Sequence, residues 1–463
     1  MLIKKHFFLL LLIISIISCE KNTENKSTYF GGRIINPKTN HVVLYSMEKV
    51  IDTFFLDAKN KFIGKVDNLN EGLYYFIHGN ENQYIYLEPL DSLMLRLNTW
   101  DFDESLVFAG KGAERNNVLI DCFLENEKEN KIFNKYNKLK PLSFKNKTDS
   151  ITNRKLKRYN DYVESHLDET NGFKNILKVA LTYPTYARIE KYPILYVNNS
   201  DKKEFPKINN TFYNYRKNIN INNDSLMYYP PYSQYIRNFL YNKTYSLGHT
   251  PTDNKYSSDF TIDLMNIIDS KIKSKHTKNA FLKQTLISHF FRKSSCEINL
   301  KTFEKFFELS SNKDDKSLVK KLMNDTNLIQ KNKDLQDFNV IDFTNSKKSI
   351  KTITKDKNSL IFFWNSEYIP VNYISSRIKF LSLKYPKLKI ILINIDKNKA
   401  ERIHKLDIKN QFYLDSNSIA HNFLTSKIQR VILLNKNGVV ENGYASISSR
   451  NLHHFIKELQ KIK

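Results

Sequence analysis

The stretch Ser359-Leu-Ile-Phe-Phe-Trp-Asn-Ser-Glu-Tyr-Ile-Pro-Val371 constrains the fold of this chain more than any other. Leu360 to Trp364 is an unbroken apolar run, the pattern of a strand buried on both faces. Pro370 can open a helix, because its missing N–H is not needed in the first turn and its φ is already helical. Val371, Ile374, Ile378, Leu381 and Tyr385 then recur at helical spacing, and Pro386 stops the repeat. A second apolar run, Leu388 to Ile395, follows at once. Strand, helix and strand with short joints predict a right-handed βαβ unit with two parallel strands.

This segment resembles the active-site stretch of the thioredoxin-like family, in its membrane-anchored disulfide-reductase branch, which reads Phe-Trp-Ala-x-Trp-Cys-x-Pro-Cys. Phe363, Trp364 and Pro370 match it. Tyr368 and Val371 stand where the family has its cysteines, with Ile369 and Pro370 between them. The surrounding order is similar too: a lead-in strand Phe338 to Phe343, a helix Ala400 to Leu406, a strand near Phe412 and a helix Ser418 to Leu424. A hairpin follows, with strands at Val431 to Leu434 and Val439-Val440 around the turn Asn435-Lys-Asn-Gly438. A helix carrying Leu452, Phe455, Ile456 and Leu459 closes the chain.

The resemblance implies a thioredoxin-like α/β domain over residues 331–463. The family's reaction needs a thiolate at the helix N-terminus, where free N–H groups and the helix dipole lower its pKa, and a second thiol three residues on. A phenol of pKa about 10 and a valine supply neither. The family's cis-proline, which faces the dithiol, falls here at Gln429. The implied site is therefore redox-inactive and holds no catalytic residue. The groove in which the family holds extended polypeptide is expected to persist, walled by Trp364, Tyr368, Gln429 and Arg430, and to take a peptide or an envelope protein partner.

Residues 1–18 are not expected to belong to the fold. Lys4 and Lys5 form a basic start, and Phe7 to Ile14 is an apolar core too short to span a bilayer as a mature helix. Ile16-Ile-Ser-Cys19 resembles a bacterial lipobox, which implies a lipid on Cys19, a mature chain that begins there, and a place in the cell envelope. The outer membrane is the expected membrane, on its periplasmic side or exposed outward. Residues 19–27 read as a flexible tether. Cys122 and Cys296 are the other cysteines, free to pair with each other in an oxidising compartment or to stay as separate thiols.

From residue 28 to 110 the apolar period becomes two. Leu93, Leu95 and Leu97 alternate with Met94, Arg96 and Asn98, and turn signals recur at Asn36-Pro37, Asp67-Asn68 and Gly79-Asn80. An antiparallel β-sandwich-like domain is predicted. Gly31-Gly-Arg-Ile-Ile-Asn-Pro37 and Tyr84-Ile-Tyr-Leu-Glu-Pro-Leu-Asp-Ser-Leu93 resemble the β-domain of unknown function that precedes thioredoxin-like domains in many Bacteroidota lipoproteins. Residues 111–330 read as helical, with stripes such as Phe260, Leu264, Ile268 and Ile272 after a Ser258 cap, and with breaks at Pro184, Pro193, Pro206 and Pro230-Pro231. The fold class expected is thus α+β and multidomain.

The net charge of +25 raises a nucleic-acid reading, with Lys131 to Arg158 as its place. No recognition motif accompanies it, and abundant Lys, Asn, Ile, Tyr and Phe describe a compositional skew, so no nucleic-acid partner is expected. The histidines form no His-Glu-x-x-His or Cys/His zinc spacing, and Gly110-Lys-Gly112 lacks phosphate-loop spacing, so no metal or cofactor is expected. The carboxylate pairs Asp101/Asp103 and Asp314/Asp315 read as solvated loop residues, and Tyr228-Tyr-Pro-Pro-Tyr232 as a packing surface. The leading functional expectation is a membrane-anchored binding or scaffolding module. The alternatives are a thiol-disulfide oxidoreductase working through Cys122 or Cys296, and a glycan-handling envelope accessory protein.

Overall fold

The computed structural model describes residues 27–200, 205–251, 257–293, 299–365, 369–395, 403 and 410–462. The chain falls into two units. One runs to Asn199 and adds Ile208–Lys217 and Ser225–Asn238; the other takes Ser200–Lys207, Asn218–Asp224 and Phe239 onward. The expected leader, Cys19 and the expected tether as far as Lys26 lie outside the described residues; Ser27, the last residue of that tether, is buried and its Oγ donates to Asp67 Oδ1 at 3.1 Å. No described helix is long and apolar enough to cross a membrane.

The first unit opens with β1 (Thr28–Ile35), β2 (His41–Ser46), β3 (Lys49–Phe55), β4 (Lys61–Val66), β5 (Gly72–His78), β6 (Glu81–Leu87) and β7 (Ser92–Asn98). A single helical turn, α1 (Phe102–Ser105), and β8 (Val107–Ala109) follow. The strands form two sheets, ordered β4-β1-β7-β8 and β3-β2-β5-β6. Alternation decides which side chains go inward: Phe30, Ile34, Phe62, Leu93, Leu95 and Leu97 meet Val42, Leu44, Phe76 and Ile85 in one buried cluster. The sandwich is not wholly antiparallel. β1 pairs parallel to β7, Tyr29 opposite Ser92 and Ile35 opposite Asn98. β1 and β7 are joined through the whole second sheet, and a connection that long leaves strand direction free, whereas the hairpin signals visible in sequence link only neighbours.

Helices α2 (Ala113–Tyr136), α3 (Pro141–Ser165) and α4 (Asn171–Asn198) complete this unit with part of α5 (Pro230–Tyr245). α4 runs through Pro184 and Pro193, where the sequence suggested breaks. Both prolines are buried, as are Tyr183, Ala187, Ile189 and Tyr192 around them. Burial on nearly every side outweighs a local cost of about 3 kcal/mol per interior proline. Pro230 does begin a helix, as its fixed φ favours.

In the second unit α6 (Ser258–Lys271), α7 (Lys275–Arg292), α8 (Leu300–Leu309) and α9 (Lys313–Leu328) precede a sheet. α6 is capped by Ser257 rather than Ser258, its side chain accepting from the Phe260 N–H. The remaining elements are β9 (Asn339–Asp342), β10 (Lys347–Ser349), α10 (Ile350–Thr354), β11 (Ser359–Trp364), α11 (Val371–Lys384), β12 (Lys389–Asn394), β13 (Gln411–Tyr413), β14 (Arg430–Leu434), β15 (Val440–Ala445) and α12 (Asn451–Lys461). The sheet order is β10-β9-β13-β12-β11-β14-β15.

β11 lies parallel to β12, Ser359 opposite Lys389 and Trp364 opposite Asn394, and antiparallel to β14. Every residue of β11 is buried, because both faces are covered. Leu360, Phe362 and Trp364 pack with Ile374, Ile378, Leu452 and Ile456 from α11 and α12. Ile361 and Phe363 pack on the other side with Phe338, Ile350 and Phe423. Gly438 closes the β14–β15 turn at φ +83°, a conformation that favours glycine. The helix expected at Ser418 to Leu424 is only one 3₁₀ turn, Ile419–Asn422, since Phe423 leaves the helical path to enter the core. Most of Ala400 to Leu406 lies outside the described residues.

Candidate functional site

β11 delivers the chain to the N-terminus of α11. Trp364, at the end of the strand, is 1% exposed and belongs to the core under α11 and α12. Pro370 is the N-cap residue, with φ −60° and ψ 134°, and its side chain offers no cap; its carbonyl accepts from Tyr373 and Ile374. Val371 is the first helical residue. Ile369 and Val371 are partly buried against the same core. Tyr368 lies outside the described residues. The free N–H groups of this helix end could stabilise a thiolate, but neither flanking position supplies sulfur.

The loop before β14 faces this end of the sheet. Among the described residues no peptide bond is cis. Gln429 is half-buried, and its Oε1 has no hydrogen-bond partner. Arg430 pairs with Phe363 across β11 and β14 and is 1% exposed. Its Nη2 donates to the Phe423 carbonyl, its Nη1 lies 3.7 Å from Asp325 Oδ2, and its guanidinium sits 5.1 Å from the Tyr444 ring centroid. Burial pulls the Arg430 pKa down, against the opposing pull of Tyr444 and Asp325. Asp325, from α9, is wholly buried and accepts from Thr425 N (2.8 Å), Thr425 Oγ1 (2.7 Å), Ser426 N (3.2 Å) and Ser426 Oγ (2.5 Å).

Of the four groove walls expected here, Trp364 and Arg430 are interior side chains, Gln429 is half-buried, and Tyr368 lies outside the described residues. A charged residue next to a hairpin reads as surface in sequence; here a carboxylate from a helix far earlier in the chain sits opposite it and holds it inside.

Sequence reasoning missed a cavity of about 670 Å³ in the first unit, within the range of small-molecule sites. Gln83, Asp103, Cys122, Asn126 and Arg188 are among its lining residues. Gln83 Nε2 donates to Asp103 Oδ1 at 3.2 Å. Burial, together with the Glu104 and Glu81 carboxylates, pushes the Asp103 pKa up to about 6. Asp103 is thus not the solvated loop carboxylate expected; it lies in α1, against β6. Asp315 likewise sits in the first turn of α9, paired with Lys283 at 2.8 Å. Arg188 spends its cation within the protein, on Glu129 at 2.9 Å and on Asn126 and Asn130. Burial pushes the Cys122 thiol up to about 12. Tyr229 and Tyr232 are buried, so this part of the Tyr-rich motif packs rather than presents rings.

No family model and no curated protein matches this chain. Solved structures do. A thioredoxin-like protein from Bacteroides caccae is 14% identical, covering 60% of this chain and 93% of its own, with a TM-score of 0.30. A protein named as a thiol-disulfide oxidoreductase from Bacteroides vulgatus is 21% identical over 28% of this chain and 97% of its own, with a TM-score of 0.25. The thioredoxin domain of a second oxidoreductase from that organism is 15% identical over 29% and 99%, with a TM-score of 0.23. The thioredoxin-like character of the C-terminal sheet rests on its own topology: a parallel βαβ at the centre, an antiparallel hairpin beside it, and helices on both faces.

Proposed function

We propose that this chain is a lipid-anchored protein of the cell envelope whose thioredoxin-like domain is redox-inactive and serves as a binding or scaffolding module. The observation that carries the reading is the N-terminus of α11, where Val371, the first helical residue, stands at one of the two positions at which a dithiol would have to react; Tyr368, outside the described residues, stands at the other. Two further points support it. The one described free cysteine, Cys122, is buried in the other unit with its thiol pushed up to about 12, which leaves almost no nucleophilic thiolate at neutral pH. The loop that would face substrate is tied inward by Asp325 and Arg430. The anchor is the lipid on Cys19, and the partner is a peptide or another envelope protein, met on a surface other than the interior Trp364 and Arg430.

Two measurements test this. Intact-mass analysis of membrane-extracted protein should give a chain beginning at a lipidated Cys19; an unmodified Cys19 removes the anchor. Equilibration in glutathione buffers, read by alkylation and mass analysis, should find Cys122 as a free thiol throughout. A disulfide on Cys122 that follows the buffer potential would favour the oxidoreductase alternative.

A further inference from the structure

The outer face of the β4-β1-β7-β8 sheet can be read from its register. Across one row stand Lys65, Tyr29 and Ser92; across the next, Ile63, Gly31, Met94 and Ala109; across the third, Lys61, Arg33, Arg96 and Val107. These side chains point away from the core, because Phe30, Phe62, Leu93, Leu95 and Phe108 at the alternate positions point into it. The rows carry the cations Arg33, Lys61, Lys65 and Arg96 and no carboxylate. Asp67, which pairs with Lys65 at 3.0 Å, lies beyond the end of β4. Between the cations sit apolar side chains open to solvent: Ile63 is 68% exposed, Val107 53% and Tyr29 41%. Cations of which Lys65 alone is ion-paired among the described residues, interleaved with exposed apolar groups on a sheet face, suit a surface with anionic headgroups above and hydrocarbon beneath.

We infer that this sheet face lies against an anionic lipid bilayer, with Arg33, Lys61, Lys65 and Arg96 on the headgroups and Tyr29 and Ile63 at the interface. The inference deepens the anchored reading. The chain enters the face at β1, and the stretch from Cys19 to Thr28 reaches at most about 30 Å when fully extended. A lipid on Cys19 would keep this face within reach of the membrane, and the cations of the face would add to that hold where the headgroups are anionic.

Lysine acylation read by mass analysis tests the inference on membrane-extracted, full-chain protein placed in vesicles. One vesicle set is phosphatidylcholine alone and the other contains phosphatidylglycerol. Lys61 and Lys65 should label several-fold more slowly on the anionic vesicles and regain their rate in high salt, while Lys316 and Lys320 on α9 stay constant. Equal rates on both vesicle types overturn the inference, as does shielding that depends on protein concentration in detergent, which would mean a second copy covers the face. Shielding by a soluble acidic polysaccharide but not by vesicles also overturns it. Charge reversal at exposed Arg33 and Lys61 (Arg33→Glu, Lys61→Glu) should weaken salt-sensitive capture about five-fold per cation without shifting thermal unfolding. If the protein fails to enter phosphatidylcholine vesicles yet is captured by anionic ones, the lipid anchor is refuted and the sheet face stands.

Discussion

Replacing Asp325 with alanine should destabilise the C-terminal sheet far more than replacing Arg430. The carboxylate accepts two backbone and two hydroxyl hydrogen bonds from Thr425 and Ser426 and faces a guanidinium that is as buried as itself. Asp325→Ala strands those donors and leaves the Arg430 cation with the Phe423 carbonyl and the Tyr444 ring. Breaking a buried pair from one side costs about 3–5 kcal/mol, and we expect about 4 here. Arg430→Met leaves Asp325 its four donors and should cost about 1–2 kcal/mol. In the double variant the stranded cation is gone, so its cost should fall about 2 kcal/mol short of the sum. The assay is denaturant unfolding followed by tryptophan fluorescence in a Trp100→Phe background, where the buried Trp364 alone reports on this unit. An Asp325→Ala variant within about 1 kcal/mol of the parent, or a strictly additive double variant, would refute the reasoning.

Three further outcomes are expected. Asp103 has a folded-state pKa raised to about 6, so the folded chain holds its proton more tightly than the unfolded one; the penalty is absent below the unfolded value, grows as pH rises toward 6 and then levels. Asp103→Asn should thus stabilise by about 1 kcal/mol near neutral pH, after allowing for its partial exposure, and not at all near pH 3, by thermal unfolding at the two pH values. Cys122 should alkylate in the folded protein roughly a thousand-fold more slowly than in denaturant, given a thiol pushed up to about 12; labelling at comparable rates would show that the site opens. Gly64→Ala should cost about 1–3 kcal/mol by denaturant midpoint, because a Cβ there would stand 1.9 Å from the ring of buried Phe54.

The central βαβ was legible because its signals are local: an apolar run bounded by polar residues, Pro370 at a helix start, and a repeat from Val371 to Leu381. The hairpin was legible for the same reason, with Gly438 in its turn. What sequence could not show depended on partners distant along the chain. Arg430 reads as a surface cation until Asp325 is placed beside it. Asp103 reads as a loop carboxylate until β6 and Glu81 close over it. Pro184 and Pro193 read as breaks until α4 is seen to be buried along nearly its whole length. The parallel run of β1 beside β7 carries no local signature at all. The absence of sulfur at Val371 needed no structure, and it is the residue on which the functional reading turns.

Turnover in an insulin-reduction assay tests that reading most directly. Full-chain protein supplied with a thiol reductant should precipitate insulin no faster than a Cys122→Ala/Cys296→Ala variant of the same chain. Turnover clearly above that variant would show working dithiol chemistry and contradict a redox-inactive domain.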